Sequence, residues 1–339
     1  MQINVLDHGF VRLVDTMPRE NLDNSIVQAA RVSYGEGTKT SRGDAGLIRY
    51  LMRHWHTTPF EMVEFKFHIK MPIYIARQHL RHRTASVNEM SARYSIVPKE
   101  YYKPDTLRGQ SKVNHQGSEG EVDVDAQLAE AGSHHLENSF DIYEKLLEEG
   151  VCREQARGNL PQSTYTEFYW KINLHNLMHY LHLRMDSHAQ KEIQEYARAM
   201  YTLVEPLVPI SMKAFIDFRV DAIQLTGPEI RALKHGEIIK SPGERREFEE
   251  KLERLGLKDK NVNIEKMFAI LATPPVVMSA QQKFKKFGKD VTDQRKSELS
   301  KIGDAFKNIA DEEKTRAKKL FDDHKKFFTD KDTDMSTTT

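Results

Sequence analysis

Met62-Val63-Glu64-Phe65-Lys66-Phe67-His68-Ile69-Lys70-Met71 alternates in polarity from Val63 onward. Val63, Phe65, Phe67, Ile69 and Met71 fall on one side and Glu64, Lys66, His68 and Lys70 on the other. Successive side chains of an extended chain point to opposite faces, so this stretch is a strand with one buried and one wetted face. Pro72 closes it and can open a helix, because its missing N–H is not needed in the first turn, so Ile73–Leu80 reads as a short helix. Working outward, Ile3–Leu6 and Phe10–Val14 read as short strands, and Asn24–Val32 and Asp44–Trp55 as amphipathic helices with apolar residues three and four apart. Tyr94–Val97 reads as a further strand. Lys99–Glu121, rich in Gly, Gln, Asn and Ser, reads as a long loop. From Val124 onward the pattern is helical, over Val124–Glu149, Cys152–Gly158, Tyr165–Leu203, Pro206–Leu225 and Glu244–Leu255. The fold class is α+β, with a small sheet from the first hundred residues flanked by long helices.

Composition narrows the function classes. The 339 residues are 39% hydrophobic and 30% charged with a net charge of +1, enough apolar material for a core and no overall bias toward polyanions or membranes. No run approaches the roughly 18 apolar residues of a membrane span, and the first ten residues lack the basic start and apolar stretch of a secretory leader, so a cytoplasmic location is expected. Cys152 is the single cysteine, which excludes an internal disulfide framework and any multi-cysteine zinc site. The charge is uneven: residues 1–257 carry 33 Lys+Arg against 36 Asp+Glu, and 258–339 carry 18 against 14, or −3 and +4. A boundary is placed at that shift, giving one large domain over 1–257, a linker over 258–273, a small module over 274–329 and a disordered tail over 330–339.

The densest chemistry lies in Gln78-His79-Leu80-Arg81-His82-Arg83-Thr84-Ala85-Ser86-Val87-Asn88-Glu89-Met90-Ser91-Ala92-Arg93-Tyr94. Guanidinium forks match phosphate oxygens, hydroxyls and loop N–H groups add neutral donors, and Glu89 can orient the arginines or accept from a ligand N–H or hydroxyl. From composition alone, a solvated basic turn with a structural Arg–Glu pair fits as well as an anion site does. A second constellation follows on the expected helix 165–203, where His175, His179 and His182 are spaced four and three apart and so share a face. That spacing suits a metal-dependent hydrolase, although no His-Glu-x-x-His pattern accompanies it; it equally suits polar residues lining a helical seam.

Arg81-His82-Arg83-x-x-Ser86-x-x-x-x-Ser91-x-Arg93 resembles the signature of the flavin-dependent thymidylate synthases. Thr58-Pro59-Phe60-Glu61 after His56, Gln116-Gly117-Ser118, and Leu183-Arg184-Met185-Asp186-Ser187-His188-Ala189-Gln190 resemble further motifs of that family in the same order, over about residues 1–257. The resemblance implies that family's mixed fold and conversion of dUMP to dTMP, with 5,10-methylenetetrahydrofolate as carbon donor and NADPH-reduced FAD as hydride source. It implies dUMP contacts at Gln78, Arg81, Glu89, Ser91, Arg93, Arg157 and Arg184, with Arg184 catalytic, and FAD contacts at Thr58, Arg81, His82, Arg83, Glu89, Asn173, His175 and His179. Some relatives carry Arg and Asn where this chain has His175 and His179. No metal is implied. The family's homotetramers share each site among subunits. No Gly-x-Gly-x-x-Gly loop occurs, so a Rossmann-type flavin domain is not the explanation. Cys152, in Gly150-Val151-Cys152-Arg153, reads as structural and not as a nucleophile.

Residues 274–329 read as three helices, about Ser279–Lys289, Arg295–Asn308 and Asp311–Phe328. Their order of apolar and lysine residues faintly resembles a high-mobility-group box, so nucleic acid enters only through this C-terminal helical appendage. An amphipathic partner-binding module is the alternative.

Overall fold

The computed structural model of the chain describes residues 1–34, 43–112 and 117–257. Gln116 and the expected linker, module and tail over 258–339 lie outside the described residues. The chain divides into two units, Met1–Gln224 and the stretch from Leu225 onward.

The first unit is built on a five-stranded antiparallel sheet. Its strands are β1 (Gln2–Val5), β2 (Gly9–Met17), β3 (Glu64–Pro72), β4 (Ser86–Glu89) and, much later, a strand over Tyr165–Asn173. A separate hairpin pairs β5 (Arg108–Gln110) with β6 (Ser118–Glu121), so the Tyr165–Asn173 strand is β7. The order across the main sheet is β1-β2-β3-β7-β4. The helices of this unit are α1 (Leu22–Arg31), α2 (Asp44–Arg53), α3 (Thr58–Glu61), α4 (Ile73–His79), α5 (Ala126–Glu148), α6 (Arg153–Ala156), α7 (Leu174–Arg184), α8 (Lys191–Val204) and α9 (Pro209–Phe215).

The alternation of β3 is realised as read. Phe65, Phe67, Ile69 and Met71 are fully buried at 0% exposure, while Glu64, Lys66, His68 and Lys70 face outward. Each such side chain removed from water contributes about 1.5–3 kcal/mol. The buried face carries α1, α2, α7, α8 and α9 in one apolar core, and α5 and α6 form a smaller one with Val97, Phe140, Tyr143 and Ala156.

The structure corrects the expected helix over 165–203. Tyr165–Asn173 is a strand paired with β3 along its whole length, from Glu64↔Asn173 to Pro72↔Tyr165. Its own period of two explains this: Phe168, Trp170 and Ile172 are buried while Tyr169 and Lys171 are exposed, and aromatic residues pack well on a pleated surface. The helix begins at Leu174 because the Asn173 side chain accepts the Asn176 N–H at 2.9 Å, an N-cap. After Arg184 the chain turns over Asp186, whose carboxylate accepts the His188 N–H at 2.8 Å, before α8 starts.

Tyr94–Val97 is not a strand; the Tyr94 and Ser95 N–H groups both turn back onto the Ser91 carbonyl at 3.0 and 3.1 Å. The strand of that region is β4, inside the arginine-rich stretch, because the second edge of β7 is open to it. Pro206–Leu225 is a single 3₁₀ turn, α9 and a π turn over Ile216–Val220. The second unit holds α10 (Gly227–His235), which periodicity missed, and α11 (Pro242–Arg254). Buried Glu229 accepts from the Thr226 N–H at 2.6 Å and from Lys251 at 2.8 Å, tying the start of α10 to α11. Among the described residues no helix is long and apolar enough to cross a membrane.

Gly9 marks the tightest approach in the sheet. A Cβ there would run into the Tyr196 hydroxyl and lie 2.6 Å from the Val5 carbonyl and 2.9 Å from that of Lys70. Gly9→Ala is expected to destabilise the chain by about 1–3 kcal/mol, seen as a lower urea midpoint with an unchanged slope.

Candidate functional site

The arginine-rich stretch leaves α4 through two tight turns. The Arg81 N–H reaches the Gln78 carbonyl at 3.3 Å and the His82 N–H reaches that of His79 at 3.1 Å. This winding sets His82 against the C-terminal turn of α7, where its Nε2 accepts from Arg184 Nε at 3.0 Å. An acceptor Nε2 carries no proton, so His82 is the neutral tautomer protonated at Nδ1. Burial first, then the charges of Arg184 and His179, hold its pKa down to about 4. Arg184 is half-buried, and burial and the like charge of Arg81 lower its own pKa, yet from a start above 12 it remains a cation.

Behind this pair lies a buried support that sequence reasoning did not single out. His79 has 0% exposure, its Nδ1 is 3.0 Å from the Tyr180 hydroxyl, and its ring lies 4.3 Å from Trp170 and 5.4 Å from Phe168, centroid to centroid. Burial pushes its pKa down to about 3, helped by the charges of His82 and Arg184. The Tyr180 ring meets His82 edge-on at 4.9 Å, so the neutral imidazole that receives Arg184 is itself packed in place. The strand β7 and the i, i+3 spacing of Tyr180 from Leu177 were the signals that could have found it.

The remaining expected residues fall into two groups. Gln78, Arg81, His82 and Arg184 form one, extended to His179 by its 5.8 Å ring contact with His82. Glu89 on β4, Ser91 and Arg93 just after it, and Arg157 directly after α6 make up the other. Glu89 accepts from the Thr166 hydroxyl at 2.6 Å, Ser91 Oγ accepts from the Arg93 N–H at 3.3 Å, and the Arg93 guanidinium pairs with Glu154 at 2.6 Å. Among the described residues, no hydrogen bond or ion pair passes between the groups. Arg81, Arg83 and Arg157 are exposed and have no ion-pair partner among the described residues, and the Gln78 Oε1 is buried without a hydrogen-bond partner there. Cys152 is exposed and shares a 510 Å³ cleft with Arg93, Leu147 and Glu154.

Thr58 lines a separate cavity of 760 Å³ with His56, Pro59, Tyr50 and Ser33, within the size range of cofactor pockets. Asn173 caps α7 two residues before His175, whose pKa is lowered by burial, opposed by the charge of Glu61. His182 sits exposed in the last turn of α7. Among the described residues no group of three or more His, Cys, Asp or Glu, His175, His179 and His182 included, is gathered closely enough to hold a metal ion.

The sequence profile of the family described as "Thymidylate synthase complementing protein" matches residues 12–210. A flavin-dependent thymidylate synthase of Dictyostelium discoideum is 52% identical over 262 residues, covering 74% of this chain and 86% of the relative. The chain belongs to the flavin-dependent thymidylate synthase family. Another member, from Thermus thermophilus, is 54% identical over 234 residues, covering 69% of this chain and 85% of the relative. Among solved structures, the UMP/dUMP methylase PolB of Streptomyces cacaoi, bound with 5-Br dUMP, is 36% identical with a TM-score of 0.57, covering 64% of this chain and 99% of the other. The family match covers β2 from Arg12 onward, β3, β4 and β7, the arginine-rich turn and α7.

The buried His79 and half-buried His82 imidazoles make stability depend on pH with a definite sign. Both folded pKa values lie below the ordinary 6.5, so between pH 6.5 and about 4 the unfolded chain binds protons that the folded one does not. Stability is expected to fall as pH drops through that window, with His79 alone contributing up to about 1.4 kcal/mol per pH unit. Urea midpoints measured from pH 7 to 4 check this: His79→Phe should flatten the slope relative to the unsubstituted chain.

Proposed function

We propose that this chain converts dUMP to dTMP, taking a methylene from 5,10-methylenetetrahydrofolate and using FAD reduced by NADPH. The observation that carries the reading is the Arg184 guanidinium, fixed at 3.0 Å on a neutral His82, in a chain whose relatives bear the name of this activity. The residues fit the cofactor: Arg81, His82 and Arg83 offer donors for a pyrophosphate, and Thr58 lines a cavity of 760 Å³. When bound, the flavin supplies the hydride for the transferred carbon.

The chain's own task is to bind, align and polarise. Joining the methylene to uracil C5 requires electron density to move into the ring, and negative charge then builds along the N3/O2 edge. Arg184 stabilises that charge electrostatically; as a group charged at any working pH, it does not abstract a proton. A neutral His82 keeps Arg184 oriented without cancelling its charge, which a carboxylate partner would do. Arg81, Arg93 and Arg157, with Ser91 as a hydroxyl donor, hold the phosphate, and Glu89 orients the nucleotide while anchored by Thr166. FAD is met by Thr58, Asn173, His175 and His179 besides the arginine turn. No enzyme thiol enters.

Membership of the family supports a homotetramer whose sites are completed by a second copy. The reading places the catalytic part in residues 1–257 and leaves 258–273 as a linker, 274–329 as a helical module resembling a high-mobility-group box, and 330–339 as a tail. A cytoplasmic location completes it.

Purified protein is expected to be yellow and to form dTMP from dUMP. Arg184→Ala should lower kcat by at least about 100-fold while flavin absorbance per chain is unchanged; retained turnover, or loss of colour, contradicts the role. Arg93→Ala should raise the KM for dUMP about tenfold with a smaller change in kcat, measured by initial rates across dUMP concentrations.

A further inference from the structure

Trp55 is the bulkiest of the three non-glycine residues with positive φ among the described residues, at φ 59° between α2 and α3. A large side chain there is strained, and a glycine would hold the same turn at less cost, so the turn itself does not call for tryptophan. Nor does the core, because 59% of Trp55 is exposed. The indole is nonetheless held: Arg219 donates to the Met52 carbonyl at 2.5 Å and lays its guanidinium carbon 3.2 Å from the ring centroid. One face of the ring is thereby covered, and no aromatic ring of the described residues pairs with Trp55. The residue lines the 760 Å³ cavity together with His56 and Thr58.

We propose that Trp55 is a stacking wall for the flavin cofactor, with one planar ring of FAD lying on the face that Arg219 leaves open. The inference rests on the proposed function, and it adds a residue that neither the motif nor the family resemblance assigns. Strain and exposure persist together where a ligand uses them. An indole offers a broad flat surface for any heteroaromatic ring, and the Arg219 cation behind it suits a ligand that carries a pyrophosphate. Isoalloxazine and adenine share this chemistry.

The test uses the full-length chain freed of flavin and titrated with FAD. Trp55→Ala and Trp55→Gly should each weaken FAD binding about 5- to 150-fold, the range of base–aromatic stacking, whereas Trp55→Phe, which keeps a ring, should stay within about threefold. Trp55→Gly should at the same time raise the thermal midpoint of the flavin-free chain, separating lost affinity from lost folding. Titrating FMN and ADP into the same variants shows which ring stacks: the half whose affinity responds to Trp55 is the one in contact. Unchanged FAD affinity in the Ala and Gly variants overturns the proposal, as does a Phe variant as weak as Ala, or an effect confined to the KM for NADPH. An unsubstituted chain that binds no FAD would refute the proposed function instead, so the two failures are distinguishable.

Discussion

Pairing of β7 with β3 is the constraint on which the rest of the molecule depends. The register from Glu64↔Asn173 to Pro72↔Tyr165 joins segments a hundred residues apart and decides where α7 must begin. It also leaves the other edge of β7 open to β4, which anchors the arginine-rich stretch. A slip of one residue would turn Phe168, Trp170 and Ile172 outward and move every residue of α7 relative to the turn that carries His82. The burial of those side chains against Phe65, Phe67 and Ile69 therefore specifies the site as well as the fold.

Within that frame the electrostatics are arranged around a fixed positive charge. His82 and His79 are both kept neutral, chiefly because charging a buried imidazole is costly, and secondarily because Arg184 repels the extra proton. The result is a cation supported by a neutral acceptor. Its field is left available to a substrate, whereas Arg93, already paired with Glu154, offers a charge partly spoken for. Arg184 thus keeps its charge in a half-buried place, whereas Arg93 presents its own at the exposed surface.

The sequence was legible where periodicity and local chemistry agree. β3 follows from its strict alternation, and α1, α2, α5 and α11 from their spacing. It failed at Tyr165–Asn173, where the alternation of Phe168, Trp170 and Ile172 ran directly into the helical spacing of Leu174, Leu177 and Leu181, and the two blended into one long helix. Only the Asn173 cap separates them. β4 was hidden because Ser86–Glu89 has no apolar alternation of its own; its existence depends on the free edge of β7. The support given to His82 by Tyr180 and His79 depends on tertiary packing between residues about a hundred positions apart, which spacing alone does not encode.

Asn173 ends β7, caps α7 and stands at one extremity of a rigid rod whose other extremity is Arg184. Eleven helical residues span roughly 16 Å. The separation between the Asn173 cap and Arg184 at the far turn is therefore a gauge set by residue count, indifferent to loop motion. Length changes between β5 and β6 leave that gauge alone, whereas one residue added to or removed from α7 would rotate Arg184 by about 100° and take it off His82.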